Sequence, residues 1–204
     1  PTPYILMEFI EGKTQFSPDI SRSQLTNLAD NLIRIHQVNL YDHDLSFLPH
    51  QQNIIEHQLD TNSSKNQRIS EALKQIYPRM SMNPSTLLHG DYWLGNILWK
   101  EEQLVGIIDW EDAMLGDPLS DLGKSRLELM WIAGQDITDH YTELYVEQMP
   151  HLDMSYLPFW DLWGALRLAD FASWFDDSAK IKHMQRIYDE FVADAIHKLN
   201  AIEE

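Results

Sequence analysis

Four polar residues stand where short apolar runs end. In "LLHGDYWLGNIL", residues 87–98, His89, Asp91 and Asn96 form the pattern H-x-D-x-x-x-x-N, and Asp109 closes the apolar run "VGIID" thirteen residues after Asn96. A carboxylate, an amide and a second carboxylate held on neighbouring strand ends suit the transfer of a phosphoryl group. That reaction asks little covalent chemistry of a protein. It must hold a metal-bound nucleoside triphosphate in line with an acceptor hydroxyl and take up the hydroxyl proton. Asp91, on a loop between strands, is placed to orient the acceptor. The amide oxygen of Asn96 and the carboxylate of Asp109 can take a Mg2+ ion from two sides. His89 has no evident proton to move and is expected to brace the loop through its ring nitrogens. The competing reading, in which Asp91 and Asn96 only close turns onto their own backbone, suits either residue alone. It suits four such residues gathered at strand ends far less well.

The elements that must position them follow from the pattern of apolar residues. "STLLH", "NILWK" and "LVGIIDW" read as short strands, the last two joined through the polar "EEQ" as a hairpin. Upstream, residues 4–10 read as a buried strand ended by Glu11 and Gly12. Ser21 with Gln24 forms a capping box ahead of Leu25, Leu28, Leu32 and Ile35, predicting a helix over about 21–38 with His36 packed beside its apolar face. Residues 41–66 read as loops around one short helix near 50–60, and a helix over 65–77 should stop before Pro78. "YDHD" within that stretch reads as a solvated loop, with no partner cluster at ligand spacing. After "GDP" the chain is predicted helical over about 119–133, 136–148, 155–175 and 178–200. The expected architecture is mainly α with a small β-hairpin region.

Composition narrows the classes. The 204 residues and 44% hydrophobic content support one globular unit, and 15 Lys plus Arg against 32 Asp plus Glu give a formal charge of −17. That charge opposes nucleic acid and anionic membranes as partners. With no cysteine there are neither disulfides nor thiolate metal sites, as suits a reducing compartment. No run approaches the length of a membrane helix, and the N-terminal residues lack the marks of a signal peptide. A soluble, cytoplasmic protein is expected.

The stretch "LLHGDYWLGNILW…GIIDWEDAMLGDPLSDLG" resembles the catalytic segment of the aminoglycoside phosphotransferase and choline kinase superfamily, which has a protein-kinase-like fold. The resemblance implies Asp91 as catalytic base, Asn96 and Asp109 as Mg2+ ligands, and Asp121 in "SDLG" tying its helix to the catalytic loop. "YILMEFIEG" resembles the hinge strand, where backbone groups around Glu8, Phe9 and Ile10 would hold the adenine of ATP (or the guanine of GTP). It further implies a division into a hinge-like strand (1–12), a helical subdomain (13–85), the catalytic and metal-binding loops (86–118) and the C-terminal helices (119–204). The eight glycines form no G-x-G-x-x-G, and no V-A-I-K-like strand is present. The chain therefore reads as the C-terminal helical lobe with the N-terminal β lobe absent, whether by truncation, proteolysis or a split gene, and impaired activity is expected of it alone.

The implied reaction is ATP- and Mg2+-dependent phosphorylation of a hydroxyl on a small molecule of aminoglycoside-, choline- or similar amine- or sugar-like type. In this family the acceptor pocket is usually built from the C-terminal helices. Trp160, Trp163 and Trp174, interleaved with acids, suit a cationic acceptor through the ring quadrupole, although a Trp stripe at helical spacing more readily suits a core. Glu111 and Asp112, beside the metal strand, are further acceptor candidates, with solvated acids as the alternative. Asp176 and Asp177 read as a solvated helix boundary. An unpaired apolar edge at Tyr4, Leu6, Phe9 and Ile10 would favour self-association. The rival class is a non-catalytic binding or scaffold module. A metal-dependent hydrolase is weaker, because no His-rich or carboxylate-rich ligand shell accompanies Asn96 and Asp109.

Overall fold

The computed structural model describes residues 8–60 and 66–202. The helices are α1 (Arg22–His36), α2 (Gln51–Asp60), α3 (Gln67–Ile76), α4 (Leu119–Ala133), α5 (Gln135–Gln148), α6 (Leu157–Arg167) and α7 (Ser178–Ile202). Four short strands, β1 (Thr86–Leu88), β2 (Ile97–Lys100), β3 (Gln103–Ile107) and β4 (Met114–Gly116), lie between α3 and α4. The fold is mainly α with a small antiparallel β region, as the periodicity predicts. No helix among the described residues is long and apolar enough to cross a membrane.

Local chemistry accounts for the helix boundaries. The Ser21 hydroxyl accepts from Gln24 N–H at 3.1 Å while Gln24 Oε1 accepts from Ser21 N–H at 3.0 Å, a reciprocal cap that fixes the start of α1. Asn66 caps α3 through Ile69 N–H, and a 3-10 turn over Tyr77–Arg79 takes up Pro78. Asp177 Oδ1 accepts from Ala179 and Lys180 N–H at the start of α7, the expected helix boundary.

The strands are nested. β1 pairs antiparallel with β4 (Leu88 opposite Met114), and β2 pairs antiparallel with β3 (Ile97 opposite Ile107) through a two-residue turn at Glu101–Glu102. A hairpin enclosed by a second ladder forces the two connecting loops, residues 89–96 and 108–113, to lie side by side. The β4 strand is missed by sequence reading because three residues ending in glycine carry no periodicity.

Helix α4 runs through the centre, buried on every side from Leu119 to Leu129, and packs most extensively on α6. Two glycines permit the close approach. A Cβ on Gly123 would lie 2.5 Å from the Trp160 carbonyl carbon, and one on Gly164 would lie 2.7 Å from Lys124 Cα. The charges that α4 carries inward are paired: Arg126 Nε donates to Asp161 Oδ1 of α6 at 2.9 Å.

Two expectations require correction. The helix predicted over 155–175 ends at Arg167; a tight turn then leads into a 3-10 segment, Phe171–Trp174, that drives Phe171 into the core against Trp131 and Tyr188. Of the strand predicted over residues 4–10, residues 8–10 are described and form no strand: Phe9 is 86% exposed, and the Ile10 side chain lies over Gly106 of β3 without pairing. Pairing begins at Lys13, which exchanges two backbone hydrogen bonds with Trp99 on β2. Tyr4 and Leu6, named for the apolar edge, lie outside the described residues.

Candidate active site

The loops after β1 and β3 each contain a residue in a left-handed conformation that small or polar residues allow most readily. Gly90 takes φ +81, and a Cβ there would come within 2.1 Å of the Asp112 carbonyl oxygen, so the loops at 89–96 and 108–113 touch at this point. Asp109 itself adopts φ 66, a left-handed conformation that Asp tolerates better than most residues.

Asp121, at the start of α4, fastens the first loop. Its Oδ2 accepts from His89 N–H at 2.7 Å and its Oδ1 from Gly90 N–H at 2.9 Å, while the His36 ring approaches Oδ2 through Nε2 at 3.3 Å and the Tyr145 hydroxyl through Nδ1 at 2.7 Å. Burial pushes the Asp121 carboxyl up, but the His36 hydrogen bond and charge and the His89 N–H outweigh it, and it sits below its usual 3.8. His36 is thus packed with both ring nitrogens satisfied. The tie between Asp121 and the loop has the geometry that the family resemblance implies.

His89 is fully buried and spans the two loops. Its Nδ1 accepts from Asp91 N–H at 3.2 Å, and its Nε2 lies 3.0 Å from the Ile108 carbonyl. A neutral ring carrying its proton on Nε2 satisfies both bonds. Burial, which lowers the imidazole below its ordinary value, favours that neutral form. The ring also packs on Trp110, centroids 4.5 Å apart. This is the bracing position expected for His89.

Asp91 and Asn96 meet directly. Asn96 Nδ2 donates to Asp91 Oδ2 at 2.8 Å and to the Asp91 carbonyl at 2.9 Å, so the amide nitrogen is committed to Asp91 and Oδ1 is the end left to face a cation. Asp109 is held alongside through the backbone: Ile108 N–H donates to the Asn96 carbonyl at 2.9 Å, and Ile108 O faces His89. Among the described residues no three His, Cys, Asp or Glu side chains gather into a metal cage. Asn96 Oδ1 and the carboxylates of Asp91 and of Asp109, the residue after Ile108 on the neighbouring loop, are hard oxygen ligands of the kind Mg2+ accepts, with substrate phosphates and water completing its shell.

Two functional partners escape the sequence reading. Lys124, 5% exposed on α4, places Nζ on Asp91 Oδ1 and 3.0 Å from Glu128 Oε1. Burial works against the Lys124 charge, yet Glu128 and Asp91 raise its pKa further, and it stays an ammonium. Burial likewise pushes Glu128 up to about 7, against the pull of Lys124. Arg167, at the end of α6, donates to the Gly90 carbonyl at 2.8 Å and to Asp112 Oδ2 at 2.6 Å, stapling the loops from outside. The available signal was a lysine with a glutamate four residues on, in a helix marked by its leucines. Its partner Asp91 stands 33 residues away, beyond any local pattern.

The remaining acceptor candidates separate. Trp160 and Trp163 are 0% and 2% exposed and pack within the α4–α6 core, where a Cβ on Gly123 would meet the Trp160 backbone. Trp174 is 52% exposed and lines a cavity with Trp93, Trp131 and Glu128. Asp112 is engaged by Arg167, and Glu111 is exposed beside it. Glu8, Phe9 and Ile10 run beside the β2–β3 hairpin, with the Ile10 side chain over Gly106.

Known structures share this arrangement of elements. The amicoumacin kinase hAmiN in complex with AMP-PNP, Ca2+ and Ami superposes with a TM-score of 0.66 at 15% identity, over 92% of this chain and 64% of that one. The choline kinase LicA from Streptococcus pneumoniae gives 0.58 at 16% identity, over 95% of this chain and 69% of that one. The fold is thus that of the aminoglycoside phosphotransferases and choline kinases. The chain belongs to the phosphotransferase enzyme family, whose model matches residues 1–150. It is also 30% identical over 145 residues to the Mus musculus protein acyl-CoA dehydrogenase family member 10, covering 62% of this chain and 14% of that protein.

Proposed function

We propose that the protein transfers a phosphoryl group from ATP or GTP, with Mg2+, to a hydroxyl of a small molecule. The observation that supports this best is the direct contact of Asp91 with Asn96, beside Asp109, on two loops pinned by His89, Asp121 and Arg167.

In this reading Asp91 orients the acceptor and receives the hydroxyl proton as the acceptor oxygen bonds to the γ-phosphorus and the diphosphate leaves. Its oxygens are held by Lys124 and Asn96, which aim the carboxylate at the acceptor. Asn96 Oδ1 and Asp109 would hold Mg2+, which supplies charge neutralisation at the phosphates. The backbone around Glu8, Phe9 and Ile10 is the proposed seat of the nucleotide base.

The test is incubation of the protein with Mg2+·ATP and a panel of alcohols, sugars and amino alcohols, read by mass spectrometry for the gain of one phosphoryl group. Transfer to at least one compound, reduced about 100-fold or more in Asp91→Asn, is expected. Absence of transfer across the panel together with no calorimetric binding of Mg2+·ATP would favour the non-catalytic module.

A further inference from the structure

A cavity of about 590 Å3 opens between Trp93 of the catalytic loop, Trp131 of α4, and Trp174 and Phe175 of the segment before α7. That volume suits a small molecule, and aromatic faces on several sides suit an apolar body. Glu128 also lines it. Its Oε1 is taken by Lys124, whereas its Oε2, buried on a residue only 6% exposed, has no hydrogen-bond partner among the described residues. A buried carboxylate oxygen without a donor is costly, and a ligand hydroxyl reaching it would relieve that cost.

The charges on the wall decide what kind of molecule fits. Glu128 is already matched by the Lys124 ammonium 3.0 Å away. The other ionisable groups lining the cavity are Lys180, whose ammonium stands 3.6 Å from the Phe175 ring centroid and occupies that face, and His183. A second cation beside Glu128 would stand next to the Lys124 ammonium, 3.0 Å from Oε1. Asp161, beside Trp160, is buried and committed to Arg126.

We propose that this cavity is the acceptor subsite and takes a neutral, largely apolar alcohol, whose body lies against Trp93, Trp131 and Trp174 and whose anchoring hydroxyl donates to Glu128 Oε2. The word acceptor rests on the phosphotransferase reading; the ligand class rests on the cavity alone. The Lys124 ammonium, touching Glu128 on one side and Asp91 on the other, joins the anchor point to the reacting carboxylate. A further hydroxyl of the same molecule would be the one presented to Asp91.

Binding is measured by isothermal titration without nucleotide, using β-naphthol, its methyl ether and naphthylmethyl-trimethylammonium as probes. β-Naphthol should bind about tenfold more tightly than the ether, which has no donor for Glu128, and more tightly than the ammonium. Trp174→Ala, an exposed position, should weaken β-naphthol about tenfold. Glu128→Leu should abolish the preference for alcohol over ether. Should that variant fail to fold, the wild-type series and Trp174→Ala still decide. Equal binding of alcohol and ether, a preference for the ammonium, indifference to Trp174→Ala, or no binding of β-naphthol would each overturn the proposal. Failure of the phosphotransferase reading would look different: β-naphthol binds as stated while no alcohol is phosphorylated.

Discussion

Asp121→Ala should unfold the catalytic loop before it unfolds anything else. The carboxylate is 2% exposed and accepts from two backbone N–H groups, those of His89 and Gly90, and faces the His36 ring at 3.3 Å. Removing it orphans both buried N–H groups at about 1–3 kcal/mol each, so a total loss of about 3–5 kcal/mol is expected after partial relaxation. For a chain of this size that corresponds to a fall in Tm of roughly 6–20 °C. Urea unfolding of the wild type and the variant measures the difference, and its pH dependence adds a second arm. The folded Asp121 carboxyl sits below its usual 3.8, so it holds its proton less tightly than in the unfolded chain. Its stabilisation is therefore present above about pH 4 and is lost as pH falls through the folded value. The gap between wild type and Asp121→Ala should shrink on acidification below pH 4. A loss under about 1 kcal/mol at pH 7, or a gap that widens in acid, would refute the claim that this carboxylate holds the loop.

Gly90→Ala should cost about 3 kcal/mol and abolish transfer, since it imposes a left-handed conformation on a residue whose Cβ would press on Asp112 O; thermal unfolding and activity read it together. Lys124→Met should destabilise by about 3–5 kcal/mol by leaving Asp91 and Glu128 without their cation, and adding Glu128→Leu should return a good part of it in a double-mutant cycle. Because the Glu128 carboxyl is raised from 4.5 to about 7, the folded state holds a proton that the unfolded state releases. Wild-type stability relative to Glu128→Gln should accordingly fall as pH rises from 4.5 to about 7, then level off.

Sequence order revealed what local chemistry sets. The capping box at Ser21, the hairpin through Glu101–Glu102 and the polar residues at 89, 91, 96 and 109 are each legible because partners lie within a few residues or at strand ends. What stayed hidden depends on chain segments far apart. Lys124 reaches Asp91 across 33 residues, and Arg167 reaches Gly90 across 77. The tryptophans of α6 stayed open for a related reason: aromatics beside acids look the same in a pocket and in a core, and only the burial of Trp160 and Trp163 where α6 meets α4 shows them as packing residues. The aromatic wall that does face a cavity draws on the catalytic loop, α4 and the segment before α7, which no single stretch of sequence displays.

The central claim is that Asp91, Asn96 and Asp109 form one metal–nucleotide centre. Electron paramagnetic resonance of Mn2+ titrated into the protein with nucleotide tests it most directly. The account predicts a bound Mn2+ signal that depends on nucleotide, weakens at least tenfold in Asn96→Ala and in Asp109→Ala, and persists in Asp91→Asn. Undiminished Mn2+ binding in the Asn96→Ala and Asp109→Ala proteins would contradict it.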